Sequence, residues 1–148
     1  MNTEVIKIGK IKISENHKPL IIAEIGINHN GNLKLAKKIA DEQNKINKKI
    51  KVFLQINVGD EDQKSGINKA EANQLVAYCK EIGLDLIGLM CIPPVNIDPN
   101  DYFKEMNEIN NSFSVVELSM GMSSDYLIAV SHSATYIRIG SNIFGTRN

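Results

Sequence analysis

The sequence predicts an α/β fold, namely an incomplete TIM-type (β/α) barrel of about five βα units with parallel strands. Apolar runs typical of buried strands alternate five times with segments whose apolar residues recur at helical spacing. Parallel strands need a crossover connection, which is usually helical and right-handed. The chain has 148 residues, whereas a complete eight-fold barrel takes about 200 or more. The predicted sheet is therefore either open or an incomplete barrel.

The predicted strands come from two kinds of pattern. Near the N-terminus "EVIKIGKIKIS" alternates with period two, which predicts an exposed strand or hairpin. The later strands are short apolar runs, several of which end at glycine or proline. These runs are Lys18–Gly26, Ile50–Gly59, Leu84–Ile92, Ser114–Met120 and Ala134–Gly140.

Two longer helices are predicted in the first half of the chain. Asn32 could cap a helix over roughly Leu33–Lys48, whose apolar residues lie on one face. Asn68 is followed three residues later by Glu71, which resembles a capping box and begins a second helix. That helix stops at Gly83, because glycine is the usual residue just past a helix end.

Three further helical segments complete the pattern. One opens at Pro99, a short one begins near Ser123 or Ser124, and a final stub follows Gly140. No internal repeat or low-complexity linker interrupts them, so residues 1–148 are predicted to form a single α/β domain.

Composition excludes several classes of protein. Net charge is zero, with eleven lysines against five acids in residues 1–51 and six basic residues against twelve acids in residues 52–148. A basic arm for nucleic acid is one interpretation, but the lysines are scattered without interleaved aromatics, so no nucleic-acid partner is predicted. No membrane helix or signal peptide is expected. Cys79 and Cys91 lack metal or redox spacing and are predicted to be free thiols in the cytoplasm.

Two Gly- and Ser-rich turns, "SMGMSSD" and "RIGSNIFG", each follow an apolar strand. Ligands of parallel α/β sheets gather at the carboxyl ends of the strands. Glycine allows close backbone approach, and amides and hydroxyls there can donate to an anion. Ser123, Gly140 and Ser141 therefore predict a phosphate site, with Arg138 beside it as a charged donor. The alternative interpretation is that these are ordinary loops capped by Ser and Asp.

Other polar residues at predicted strand ends carry weaker signals. Asn57, Met90 and Ser119 fall at the carboxyl ends of three successive strands. His29 could be a metal ligand or proton carrier, but a turn residue is the simpler interpretation, and no metal site is predicted. Glu24 lies within an apolar run, where a carboxylate needs a partner. No Ser-His-Asp spacing, Walker loop or HExxH motif is present, so no catalytic residue is assigned.

Four stretches in order carry a resemblance to a known family. They are "FLQINVGDEDQKSG", "GLDLIGLMCIPP", "ELSMGMSSDYLIAV" and "YIRIGSNIFGTR". Residues 34–148 resemble the YggS/PROSC family, whose members bind pyridoxal 5'-phosphate (PLP) in vitamin B6 homeostasis and are related to the N-terminal barrel of alanine racemase. The resemblance covers the C-terminal half of that family.

The resemblance implies a role for each matching residue. Ser123 and the backbone around Gly140 and Ser141 would hold the cofactor phosphate, and Arg138 would face the pyridine nitrogen. The pocket would be lined more loosely by Asn57, Met90 and Ser119. An arginine at that nitrogen keeps it unprotonated and weakens the ring as an electron sink. The resemblance therefore implies a non-catalytic PLP-binding protein rather than an enzyme.

The family's N-terminal half contains the lysine that forms the Schiff base with PLP, in a stretch like "AVSKTKP". Nothing in this sequence matches that stretch. Lys64 belongs to a different position of the family pattern. The expectation is a YggS-type protein without the Schiff-base segment that binds PLP non-covalently.

Residues 5–33 resemble a different family. "KPLIIAEIGINHNGNLKLAKKI" is similar to the start of sialic acid synthase, a metal-dependent (β/α)8 barrel that condenses phosphoenolpyruvate with N-acetylmannosamine. The resemblance implies that Glu24 lies in the sugar and metal region. The alternatives to the PLP hypothesis are therefore an N-acetylneuraminate synthase-like fragment or a non-functional hybrid reading frame. A missing barrel section would leave exposed sheet edges that favour self-association.

Overall fold

A computed structural model describes residues 6–8, 11–13, 23–25, 33–62 and 64–145. The strands are β1 (Ile6–Ile8), β2 (Ile11–Ile13), β3 (Ala23–Ile25), β4 (Lys51–Ile56), β5 (Asp85–Cys91), β6 (Glu117–Met122) and β7 (Tyr136–Arg138). The helices are α1 (Leu33–Lys45), α2 (Ala72–Glu81), α3 (Asn100–Ser112), α4 (Tyr126–Ser131) and α5 (Ser141–Phe144), and a 3₁₀ turn at Lys69–Glu71 precedes α2.

Strands β3 to β7 form one parallel sheet in sequence order, and β1 pairs antiparallel with β2 as a separate hairpin. Each parallel neighbour is reached through one helix. This arrangement confirms the predicted α/β class with parallel strands and fits an incomplete barrel. In the described part of the chain, β3 and β7 are the outer strands, and self-association through them stays a prediction.

The main core lies between the sheet and its helices. Strand side chains alternate between faces, so Leu54 of β4, Leu89 of β5 and Leu118 of β6 point toward the helices. They pack with Phe103 and Met106 of α3, and all five are at most 1% exposed. Burying apolar side chains of this size stabilises the fold by about 1.5–3 kcal/mol each.

The opposite face of the sheet is also buried, but it contains more polar groups. Gln55, Met90 and Ser119 lie side by side across β4, β5 and β6, and each is at most 7% exposed. Gly88 allows β5 and β6 to approach closely, since a Cβ there would collide with the Glu117 carbonyl group. The polar residues that could contact a ligand are therefore on this face and at its carboxyl edge.

Several predicted boundaries are wrong by a few residues, for local reasons. Helix α1 ends at Lys45 rather than near Lys48, because Asn47 has a φ of 49° and leaves the helical region. Strand β6 begins at Glu117 rather than Ser114, whose φ is 56°. Both residues adopt the left-handed conformation, which Asn tolerates better than most residues.

Helix α4 begins at Tyr126, not at Ser123 or Ser124. The Asp125 carboxylate accepts a hydrogen bond from the Met122 amide at 2.6 Å. This contact folds residues 122–125 into a turn before the helix starts. The sequence "SSD" therefore forms a loop at the end of β6, and Ser123 is part of that loop.

Candidate functional site

The loops that follow β6 and β7 lie against each other. The amide of Gly140 donates to the Oγ atom of Ser123 at 3.2 Å. The side-chain amide of Asn142 donates to the Ser123 carbonyl oxygen at 2.9 Å. Two segments seventeen residues or more apart are thus joined at the carboxyl edge of the sheet. A small anion placed here would meet groups from both loops.

Space is open at Gly140. A Cβ built on this residue would meet no heavy atom within 4 Å. The backbone there turns into α5, since the Ile143 amide donates to the Gly140 carbonyl oxygen at 2.9 Å. Ser141 begins this short helix and is exposed. The amides of the first turn of this helix therefore lie next to an exposed and uncrowded backbone position.

Arg138 forms hydrogen bonds with two other strands. Its Nη1 atom donates to Ser119 Oγ at 2.7 Å and to the Ser119 carbonyl oxygen at 3.2 Å. Its Nη2 atom donates to the Cys91 carbonyl oxygen at 2.9 Å. These three acceptor atoms are neutral, and their hydrogen bonds fix the orientation of the guanidinium. The charge is held at the carboxyl ends of β5, β6 and β7.

Aromatic rings cover part of the sheet face next to Arg138. The rings of Phe53 and Tyr136 meet edge to face with centroids 5.2 Å apart. Phe53 is fully buried, and Tyr136 is half-buried. Burial, and to a lesser degree the Glu117 charge, raises the pKa of Tyr136. The Tyr136 hydroxyl is therefore neutral at physiological pH and can only act as a polar neutral group.

Neither cysteine is a candidate nucleophile. Both thiols are free and buried. Burial raises the pKa of Cys91 to about 12, although the nearby Arg138 charge opposes the effect. Burial likewise raises the pKa of Cys79 to about 11. Since only the thiolate is a strong nucleophile, these groups serve as core side chains.

The loop after β4 is held by its own polar side chains. The side chain of Asn57 donates to the Glu61 carbonyl oxygen at 2.8 Å and accepts from the Glu61 amide at 3.2 Å. Lys64 pairs with the Glu61 carboxylate at 2.6 Å and donates to the Pro93 carbonyl oxygen at 2.8 Å.

A second lysine, Lys69, forms ion pairs with Asp60 of the same loop and with Glu105 on α3. These contacts fix the loop against the chain that follows β5.

The structure brings five of the seven predicted site residues together through direct contacts or the turn into α5: Ser119, Ser123, Arg138, Gly140 and Ser141. Met90 lies next to Ser119 in the sheet register. Asn57 is at the end of β4, two strands from β6. Asn142 was missed by the sequence reasoning, although it stands within "RIGSNIFG"; a polar side chain in the first turn of the stub was its signal.

Some candidates lie outside the described residues. His29 and the side chain of Glu24 belong to this group. Across the residues that the structure does describe, His, Cys, Asp and Glu side chains form no cluster of three that could hold a metal ion. No helix within the described ranges has the length and apolar character needed to cross a bilayer.

Residues 25–148 match the family described as alanine racemase, N-terminal domain. This match covers most of the chain, and the chain therefore belongs to that family. The parallel sheet with its helices agrees with the assignment.

Within this family the chain is similar to pyridoxal phosphate homeostasis proteins. The protein of that name from Aquifex aeolicus is 35% identical over 106 residues, which cover 65% of this chain and 46% of the relative. The one from Escherichia coli is 34% identical over 125 residues, covering 78% of this chain and 53% of the relative. The chain thus spans about half the length of the curated relatives that it matches. The predicted resemblance to the YggS/PROSC family is confirmed, while that of residues 5–33 to sialic acid synthase stays a prediction.

A solved structure shares the fold. PipY from Synechococcus elongatus, in the form with PLP bound, superimposes with a TM-score of 0.63 at 28% identity, covering 76% of this chain and 57% of PipY. The form without PLP gives a TM-score of 0.71 at 26% identity with the same coverage. The described sheet therefore resembles a little over half of a protein that has been seen with PLP.

Proposed function

We propose that this chain binds PLP non-covalently and acts in cofactor homeostasis as a non-catalytic carrier of the YggS type. The names of its relatives and the PLP-bound form of PipY support PLP as the ligand. The observation that carries the proposal is the hydrogen bond between Gly140 and Ser123, because it unites the two predicted anion-binding turns at one place. The phosphate group and the pyridine ring of PLP need different contacts from the protein.

The phosphate end fits the two joined loops. A serine hydroxyl has two acceptor lone pairs and one hydrogen. Ser123 accepts from the Gly140 amide, so its own hydrogen can be directed to a phosphate oxygen. Gly140 has no side chain, and the space that a Cβ would occupy there contains no other protein atom. Amides at the start of α5, together with the Ser141 hydroxyl, would complete the set of donors for a dianion.

The ring end fits Arg138. This guanidinium is held between β5 and β6 by neutral acceptors, beside the loops that would take the phosphate. A permanent cation at the ring nitrogen disfavours its protonation. When bound, the cofactor supplies an electrophilic aldehyde and an electron-withdrawing ring, and the second property weakens without that proton. The site is therefore suited to storing the cofactor rather than to catalysis.

Non-covalent binding follows from the lysines of this sequence. No stretch matches the Schiff-base segment of the family. Lys64 is near the same edge of the sheet, but its ammonium is engaged by Glu61 and by the Pro93 carbonyl oxygen. A lysine side chain engaged in these two contacts is poorly placed to attack an aldehyde. We therefore give Lys64 a structural role.

The test uses a ligand that cannot react with amines. Pyridoxine 5'-phosphate keeps the phosphate and the ring but has no aldehyde, so it cannot label the fifteen lysines. Calorimetric titration should show saturable one-site binding that inorganic phosphate competes away. PLP should compete for the same site, and borohydride reduction with mass spectrometry should add no stoichiometric mass. No binding at millimolar ligand would reject the function, and a stable adduct on one lysine would reject its non-covalent part.

A further inference from the structure

Ser119 is unusual among the polar residues of the sheet. This residue is only 2% exposed, whereas Ser123 is half-buried in its loop and Ser141, at the start of α5, is exposed. It stands on β6 between Met90 of β5 and Tyr136 of β7. A hydroxyl in such a place needs hydrogen-bond partners, because burying it without them is costly.

The hydroxyl of Ser119 accepts a short hydrogen bond from Arg138. The distance from Nη1 to Oγ is 2.7 Å, against 3.2 Å to the Ser119 carbonyl oxygen and 2.9 Å from Nη2 to the Cys91 carbonyl oxygen. Hydrogen bonds from a charged donor are stronger than neutral ones. A serine on β6 and a carbonyl group on β5 thus fix both terminal nitrogens of an arginine on β7.

We propose that Ser119 is a positioning residue that holds the Arg138 guanidinium at the ring nitrogen of the bound ligand. The inference rests on the proposed function and concerns how the same site recognises its ligand. An arginine side chain has many rotamers, and fixing it before binding lowers the ordering cost at the moment of binding. Ser119 therefore sets the affinity for the heterocycle and the protonation of its nitrogen, while the loops after β6 and β7 recognise the phosphate.

Two ligands separate this role from a general structural one. Pyridoxine 5'-phosphate has a ring nitrogen, whereas benzyl phosphate carries its phosphate ester on a benzene ring without one. The Ser119→Ala variant should lose about tenfold in affinity for pyridoxine 5'-phosphate, the effect of losing one charge-assisted hydrogen bond. Its affinity for benzyl phosphate should change by less than about twofold. Calorimetry of both ligands on the full chain measures the difference.

The absorbance of bound pyridoxine 5'-phosphate gives a second readout, since it follows protonation of the ring. A fixed guanidinium keeps the nitrogen unprotonated to lower pH. In Ser119→Ala the midpoint of this transition should rise by about one pH unit, because the cation is no longer held in place. Ser119→Thr keeps the hydroxyl and should restore both readouts. Ser131→Ala removes an exposed hydroxyl bonded to the Ile128 carbonyl oxygen and should change neither.

Ser119→Cys, which nearly conserves side-chain size but has a weak acceptor, serves as a second variant if Ser119→Ala fails to fold, and it should show the same ligand-selective loss. Circular dichroism establishes that each variant is folded. Equal losses for both ligands, or no loss for either, would overturn the positioning role while leaving the proposed function intact. A wild-type chain that binds neither phosphate ester would reject the function and this inference together.

Discussion

The carboxyl edge of the sheet has two regions that use similar residues differently. After β4, the side chains of Asn57 and Lys64 form hydrogen bonds and an ion pair within the loop and with the neighbouring chain. After β6 and β7, the hydroxyl of Ser123 joins two loops and Gly140 leaves open space. Polar residues at strand ends thus have two uses. The first region holds a loop in place, and in the proposed function the second region receives the ligand.

The two glycines Gly66 and Gly140 express this difference most clearly. Gly66, in the loop after β4, has a φ of 119°, and a Cβ there would lie 2.7 Å from the Asn57 amide nitrogen. Gly140 has a φ of −119°, and a Cβ there would have no heavy atom within 4 Å. The first glycine is required by the fold, whereas the second is free of that requirement, and we propose that the ligand lies beside it.

The largest expected effects come from this matched pair of substitutions. Gly66→Ala should lower the free energy of unfolding by about 2–4 kcal/mol, because of backbone strain and collision with β4. Gly140→Ala should change it by less than about 0.5 kcal/mol, yet weaken pyridoxine 5'-phosphate binding about tenfold or more by entering the ligand's space. Denaturant unfolding and calorimetry measure the two quantities. A large stability loss in Gly140→Ala with unchanged affinity would reverse the comparison.

Alkaline pH should weaken the fold through the buried cysteines. Their pKa values in the folded chain, about 12 for Cys91 and about 11 for Cys79, exceed the ordinary value of 9.0. The neutral thiols therefore stabilise the fold fully below about pH 9, and this contribution is lost as the pH rises toward 11 and 12. At about pH 10.5 each thiol should account for roughly 2 kcal/mol of lost stability.

Denaturant unfolding at pH 8 and at about pH 10.5 measures this loss. The double variant Cys79→Ala, Cys91→Ala should show a much smaller decrease between the two pH values. An equal decrease in both proteins would assign the effect to other groups. The affinity for pyridoxine 5'-phosphate should fall only at those pH values at which the protein unfolds.

Lys64→Met tests the region after β4. The Lys64–Glu61 pair has about a quarter of each side chain exposed, and removing the ammonium leaves the Glu61 carboxylate without this cation. The free energy of unfolding should fall by about 1–2 kcal/mol, and the affinity for pyridoxine 5'-phosphate should stay within about twofold. A selective loss of affinity without loss of stability would move Lys64 into the ligand site.

The smallest expected effect belongs to Ser123. Ser123→Ala removes one donor and one interloop hydrogen bond, so both pyridoxine 5'-phosphate and benzyl phosphate should bind about fivefold more weakly. Ser112→Ala is the matched control, since that exposed hydroxyl contacts only a helix carbonyl group of Ile109 among its described contacts. A loss restricted to the ligand with a ring nitrogen would contradict a phosphate role for Ser123.

Much of the fold could be predicted because the apolar periodicity is strong. Each predicted strand and helix over residues 33–145 has its counterpart in the structure. The errors are at boundaries: Asn47, with positive φ, follows the end of α1, and Ser114, also with positive φ, lies ahead of β6. Nothing in apolar spacing marks such a residue. The first residue of α4 could not be predicted either, because it depends on the hydrogen bond between the Asp125 carboxylate and the Met122 amide.

The candidate site was predictable in part. Glycine and serine between a strand and a helix marked the loops at Ser123 and Gly140, and Arg138 was found as a charged residue next to the second of these turns. The sequence could not distinguish loop-holding residues from ligand-facing ones. Asn57 was predicted as cofactor-binding on its position, yet its amide bonds to Glu61 of its own loop, and its role toward a ligand stays a prediction. That distinction depends on distances between side chains that no linear pattern contains.

In the proposed function, the loops after β6 and β7 together receive one phosphate group. Backbone amide NMR during titration with pyridoxine 5'-phosphate tests it most directly. The amides of Gly140, Ser141, Asn142 and Ser123 should shift together with one dissociation constant, while those of Asn57 and Gly66 should remain unchanged. Shifts confined to the loop after β4, or different dissociation constants for the two loops, would contradict it.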